Sequence, residues 1–492
     1  MNELDTATHT PTDADPHTPT DTATHTPTDS DSAPQDHPRA GTGLPAGLSK
    51  ASRLPWVWIV TVVSFLALTG SSGFRAVPGV MMDPLHMEFG WSHASIATAA
   101  SVNMVLYGAV SPFAASWMEK YGIRPVVTTA LLLIAVGSAL PTFMSSPWQL
   151  TLYWGVLVGV GSGAVALAFV GTVTNRWFTR RRGLITGILT AGSTAGQLVF
   201  LPLLAWLVNH TNWRIASFTV AAAALAVVPL VMFFIREHPK DVGQRPFGED
   251  PATSPKDDTT DTPEATRTAP EPEPEHNPLG VTGAFRVLLA AGRTRPFWML
   301  FAGFAICGAT TTGLVQTHFI PAAGDHMMPQ TTAASLLAMA GLFDLVGTIA
   351  SGWLTDRFNA RVLLFVYYGL RGVSLLALPS LFARTATPSM LLFAIFYGLD
   401  WVATVPPTMA LCQERYGSAS AIIFGWLWTA HQVGAGAAAI LAGTVRDQLG
   451  DYAMAWYGAG ALCLLAAFLA LAIGRNTTSP APAALPHPKE AV

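Results

Sequence analysis

Gly341–Arg361 reads GLFDLVGTIASGWLTDRFNAR. It closes an apolar run over 331–353 in which Asp344 is the one charge, then breaks into Asp356, Arg357 and Arg361. A helical run of that length spans the roughly 30 Å hydrocarbon core of a bilayer at about 1.5 Å per residue. The same arrangement stands earlier, where an apolar run over 93–116 ends in Ala115–Arg124, ASWMEKYGIR. Ala115, Glu119, Lys120, Gly122 and Arg124 occupy the offsets of Gly352, Asp356, Arg357, Asn359 and Arg361. A unit of membrane helix, charged loop and membrane helix that repeats in this way implies a chain built as two similar halves.

The whole composition agrees. Of 492 residues, 51% are hydrophobic and only 12% charged, with a mean hydropathy of +0.40, whereas soluble domains carry about 25% charged residues. Hydropathy and chain breakers predict spans near 56–80, 93–116, 126–142, 148–172, 183–208 and 214–235, then 296–320, 331–353, 361–381, 387–410, 418–443 and 452–474. The expected fold is an all-α membrane protein, with twelve transmembrane helices in two pseudo-repeated six-helix bundles over 53–238 and 295–475. Residues 1–52, with DTATHTPTD at Asp5–Asp13 repeated at Asp21–Asp29, read as a disordered tail. The Pro- and acid-rich stretch within 239–294 reads as a largely disordered linker, and 476–492 as a second tail.

Lys120 and Arg124, then Arg176, Arg180, Arg181 and Arg182, then Arg357 and Arg361, then Arg415 and Arg475 fall in alternate connections. The opposite connections hold Arg214, Arg384 and Arg446. By the positive-inside rule both termini are cytoplasmic, and the expected location is the cell inner membrane, crossed many times. The N-terminal segment lacks the pattern of a cleavable signal, so the first span should direct insertion.

Several function classes find no support. Net charge is −3 and no basic stripe carries interleaved aromatics, which argues against nucleic acid as a partner. Cys307, Cys412 and Cys463 stand in or beside apolar runs without metal-ligand spacing, and His9, His17, His25 and His37 are scattered in the tail, so no metal or other cofactor is expected. HExxH, a phosphate-binding loop and a GxSxG elbow are absent, and Gly161-Ser162-Gly163 sits in a small-residue packing stretch, which points away from an enzyme.

The two charged loops resemble the G-x3-D-[RK]-x-G-x-R loop of the major facilitator superfamily. That resemblance implies a conformational latch formed by Glu119, Lys120 and Arg124 in one half and by Gly352, Asp356, Arg357 and Arg361 in the other. EFGWSHASIATAASVNMVLYGAVSPFAASWMEKYGIR and NRWFTRRRGLITGILTAGSTAG resemble the monocarboxylate-porter and oxalate/formate-antiporter branch, as do THFIPAAGDH, LLFVYYGLRGVSLLALP and FYGLDWVATVPPT. The likeness covers about 55–475 and implies secondary transport. A further repeat pairs GILTAGSTAG (Gly187, Gly196) with GWLWTAHQVG (Gly425, Gly434), small residues that permit close helix approach.

Charges at membrane depth cost at least about 2.5 kcal/mol and should face the bundle interior. They are Arg75, Asp344, Arg371, Asp400 and His431, with His318 at a helix end. Asp344 shares a small polar face with Gly341, Thr348 and Ser351, and reads as a proton or substrate site or as a hydrogen-bond hub. Monocarboxylate porters resemble this helix but follow the Asp with an Arg where this chain has Thr348. Arg371 and Asp400 lie at matching depth on sequential helices, as a structural or a coupling pair. His431 reads as a proton relay or a packed histidine. Arg75 reads as an anion-binding fork or as a side chain reaching for headgroups. Thr186, Thr190, Ser193 and Gln197 form a plausible cavity wall.

The expected function is alternating-access transport of a small organic anion, monocarboxylate-like and coupled to protons, by a monomer in the lipid bilayer. Export of an amphiphilic drug or metabolite by proton antiport is the alternative, and a non-transporting membrane sensor the minor one.

Overall fold

The computed structural model describes residues 55–73, 77–249 and 281–474. Among them every regular element is a helix, and a single isolated bridge, Phe178 to Phe247, is the only β pairing. Lipid offers backbone groups no hydrogen bonds, so a chain this apolar must satisfy them within helices. Nine helical stretches among the described residues are long and apolar enough to cross a membrane. The tail over 1–52, the tail over 476–492 and the middle of the linker lie outside the described residues.

Proline and glycine set where the expected spans are interrupted. His93–Ala109 gives way to Ser111–Tyr121 at Pro112. The 387–410 span is two helices, Pro388–Asp400 and Val405–Tyr416, separated by a turn over 401–404 ahead of Pro406 and Pro407. Neither proline has an N–H to give a preceding turn, so a continuous helix would lose hydrogen bonds there. At the expected linker's edges, Val281–Ala291 is an additional helix ahead of Arg295–Gly308, and Pro239–Val242 a short turn of helix.

Within the first half, Trp56–Ser71 packs on Arg182–His210 and Trp213–Phe234; within the second, Ala360–Leu381 packs on Ala453–Ala472. The halves meet along two seams. Arg182–His210 runs against Gln330–Thr355, and Ser111–Tyr121 with Leu167–Trp177 lies against Ser420–Leu449. Glycine makes both seams possible. A methyl on Gly187 would sit 2.6 Å from the Thr348 carbonyl, and one on Gly425 2.5 Å from Pro112 Cα. Gly196 and Gly434 instead face their own halves, against Thr69 and Ala305. Of each of these two glycine pairs, one member therefore serves the seam and the other its own bundle.

Candidate functional site

The turn at 401–404 frees backbone groups in the protein interior, and the buried charges gather on them. Asp344, 3% exposed, accepts hydrogen bonds on Oδ1 from the Thr348 hydroxyl and from Val402 N, both at 2.9 Å. Its Oδ2 accepts from Thr194 Oγ1 at 2.9 Å. Thr348 and Val402 belong to the second half; Thr194 stands on Arg182–His210 in the first. One carboxylate thus holds its own half with one oxygen and the opposite half with the other. Ser351, one turn beyond Thr348, donates to the freed Ala403 carbonyl at 2.5 Å.

Arg371 and Asp400 are paired. The guanidinium Nε donates to Asp400 Oδ2 at 2.6 Å, with both side chains buried. Nη2 donates to the Asp400 and Trp401 carbonyls at 2.6 and 3.1 Å, and Nη1 to Cys307 Sγ at 3.1 Å. Every arm of the arginine is committed to the protein. Among the described residues Asp400 Oδ1 has no hydrogen-bond partner, and Asp344 lies within electrostatic reach of both members of the pair. Two carboxylates and one guanidinium are thus gathered in the buried centre.

His431 has a different setting, on Ser420–Leu449. Its ring stacks on Trp428 with centroids 4.6 Å apart and lies 5.4 Å from Phe304. His318 Nε2 lies 2.9 Å from the Ala439 carbonyl and Nδ1 3.3 Å from the Tyr452 hydroxyl. Arg75 lies outside the described residues. Of the expected cavity wall, Thr186 and Thr190 are buried and Ser193 shares a 3.0 Å hydrogen bond with Ser72.

The latch residues divide. Asp356 crosses the seam and accepts from Gly183 N and Leu184 N at 2.7 and 2.9 Å, capping the first turn of Arg182–His210 with a carboxylate where the helix dipole favours one. Arg181 just before it has φ of 58°, a left-handed value uncommon for any residue but glycine. Gly352 touches Gly183 and Gly187 across the same seam. Arg357 lies over the Trp353 ring at 3.8 Å, and Arg361 donates to the Ile473 carbonyl at 2.9 Å. In the first half, Lys120 lies over Tyr121 at 5.1 Å, Glu119 is half-buried, and Arg124 donates to the Ile235 carbonyl at 3.2 Å.

The acid that closes the first loop is Glu237, which the sequence reading did not single out. It accepts from Ile123 N at 2.6 Å, Arg124 N at 3.0 Å and Arg176 Nη1 at 3.0 Å. Thr194 was missed for a plain reason: threonine is ordinary in membrane helices. The interrupted backbone at 401–404 had a signal, Val405-Pro406-Pro407, within a span read as continuous. Beyond the membrane-facing surface, two of the three arginines on the opposite connections form ion pairs, Arg214 with Glu88 at 2.5 Å and Arg446 with Asp325 at 2.8 Å.

Comparison with known proteins fits a buried polar centre between two helical halves. The family model described as Major Facilitator Superfamily matches residues 57–439. "Monocarboxylate transporter 13" of Rattus norvegicus is 28% identical over 416 residues, 83% of this chain and 87% of that protein. "Uncharacterized MFS-type transporter YcxA" of Bacillus subtilis (strain 168) is 24% identical over 392 residues, 78% of this chain and 87% of its own. The crystal structure of the E. coli fucose:proton symporter shares the fold with a TM-score of 0.56 at 15% identity, covering 85% of this chain and 100% of that one. With most of its length matched by that family model, the chain belongs to the Major Facilitator Superfamily and is a multi-pass membrane transporter rather than an enzyme.

Proposed function

We propose that the chain moves a small organic anion together with a proton by alternating access, with Asp344 as the proton-carrying group. The observation that carries this reading is the division of the Asp344 carboxylate between the halves, Thr194 on one side and Thr348 with Val402 N on the other. Ionised, the carboxylate holds both through charge-assisted bonds, each about twice as strong as a neutral one. Protonation weakens the tie to Thr194 and so loosens the contact across which the halves must rock. The relatives' names support testing monocarboxylates first.

The helices support twelve crossings. Pro388–Leu449 would run on the order of 90 Å as one helix, three times the hydrocarbon core. It folds back at Gly417, where φ is 53°, giving two crossings. Trp56–Ser71 with Val77–Phe89, and His93–Ala109 with Ser111–Tyr121, supply two more. We place the face bearing Tyr121, Asp356 and Tyr416 on the cytoplasmic side, with both termini, in the inner membrane, on the arginine pattern of the connections.

The test is uptake of lactate or pyruvate into proteoliposomes under an inward proton gradient. Asp344→Asn, which keeps shape, should abolish gradient-driven accumulation while the protein stays folded. Unchanged accumulation by the variant would end the proton-carrier reading.

A second reading, export of an amphiphilic compound, is favoured by one observation: Arg371 is fully engaged and Thr348 replaces the arginine of monocarboxylate porters, so the anion reading depends on Arg75. On that reading Arg75→Lys should raise the substrate KM and Arg75→Gln should remove transport. Normal anion uptake by Arg75→Gln would favour the exporter.

A further inference from the structure

The helix Val281–Ala291 takes no part in the buried polar centre, yet it lies across a seam between the halves. It packs on Ser111–Tyr121 of the first half and on Ser420–Leu449 of the second, and it is joined by a short connection to Arg295–Gly308 of the second. Gly283, Ala284, Val287 and Ala291 form its buried face. Phe285 sits on the edge, 47% exposed, over the seam itself.

Three rings from three elements meet there. Phe285 lies 5.3 Å from Phe113 and 5.6 Å from Trp426, and those two lie 5.7 Å apart. Phe113 belongs to the first half and Trp426 to the second. Trp426 Nε1 also donates to the Ala284 carbonyl at 3.1 Å, fixing the helix to the second half. Directly beneath, Gly425 touches the backbone of Ser111 and Pro112. A close backbone contact of this seam and the ring cluster that covers it are thus neighbours in sequence on both sides.

We propose that Val281–Ala291 is a strap that travels with the second half and, through Phe285 on Phe113, holds the halves together at this face in the conformation seen here. The strap rests on the alternating-access reading, since only a rocking motion separates Phe113 from Trp426. When this face opens, Phe113 must leave Phe285, while the Trp426 to Ala284 bond stays. Phe285 is half exposed, so truncating it removes a contact without opening a hole in a packed core.

The experiment uses the full chain in nanodiscs, spin-labelled at Tyr121→Cys in the first half and Ser418→Cys in the second. Both positions are exposed, and the three native cysteines are buried. Distances between the labels are measured by pulsed electron resonance at neutral and acid pH. Phe285→Ala should raise the ratio of long to short distances by about fivefold, the size expected for losing the one aromatic contact of this ring that crosses the seam. Phe285→Leu, which keeps apolar bulk, should do so by less. Phe113→Leu removes the same ring contact from the other side of the seam and should raise the ratio in the same direction, so the test survives if Phe285→Ala does not fold. A wild type that shows both distances, with variants indistinguishable from it, would overturn the strap. A single distance in every sample and at every pH would overturn the alternating-access reading beneath it.

Discussion

Arg371 shows what a buried charge requires. Four of its five N–H donors go to one carboxylate oxygen, two carbonyls and a thiol, and breaking such a pair by removing one partner costs about 3–5 kcal/mol. Arg371→Gln and Asp400→Asn alone should each reduce the yield of folded protein, read by size-exclusion profile and melting temperature. The exchanged pair should recover part of it, and an exchange no better than the worse single change would show that the two act separately. Thr194 is a subtler case. Thr194→Val keeps volume and removes one hydroxyl, so folding should persist while the pH dependence of uptake flattens; Thr194→Ser should restore it. Both charges of the pair were legible in the sequence because charge is rare at membrane depth. Thr194 was not, because nothing in a threonine says which neighbour its hydroxyl will reach.

Among the elements, the interrupted helix Pro388–Tyr416 has the most to answer for. The turn at 401–404 supplies Val402 N to Asp344 and carbonyls to Arg371 and Ser351. Replacing Pro406 and Pro407 by alanine should let the helix close over this turn and withdraw those groups. The expected outcome is protein at least as heat-stable as wild type with gradient-driven uptake lost; full uptake would show the break to be incidental. At the opposite seam element, Gly425→Ala places a methyl against Pro112 and should slow transport more than it lowers stability. The segment after Trp213–Phe234 offers a pH test. Burial, reinforced by the Arg176 charge, pulls His238 below its ordinary value of about 6.5. A depressed value means the neutral ring is favoured on folding. Its contribution is present above about 6.5 and is lost as pH falls through the lower folded value. The melting temperature should therefore drop on mild acidification, and His238→Gln should flatten that drop.

For the whole molecule, the distribution of arginines and the seams make one statement about orientation. Single cysteines at Ser418 and at Asp451, exposed on opposite sides of Ser420–Leu449, should react with an impermeant maleimide from opposite faces of the membrane, Ser418→Cys only after the cell is opened. Labelling of Ser418→Cys in intact cells would reverse the topology. Ion pairs tie ends of helices within each half: Glu88 to Arg214, with Trp213 donating to the same carboxylate, and Asp325 to Arg446. Hydrogen bonds from Arg214 hold Glu88, and from Arg446 hold Asp325, below the ordinary carboxylate range. Their contribution is present above that range and fades as pH falls through the lowered values, a small effect because both pairs are exposed.

Helicity, membrane residence and the buried charges Asp344, Arg371 and Asp400 were determined by the sequence alone, because hydropathy over about twenty residues and the cost of charge in lipid are local properties. Val405-Pro406-Pro407 stood in plain view, yet only packing shows that the freed backbone faces Asp344. Which residue answers a charge was decided in the tertiary structure. Glu237, far along the chain, accepts from the backbone at Arg124; Asp356 caps a helix in the other half; Thr194 reaches Asp344 across the seam. These pairings depend on how two helical halves lie against each other, and backbone approach at Gly187 and Gly425 sets that registry through contacts that no linear pattern encodes.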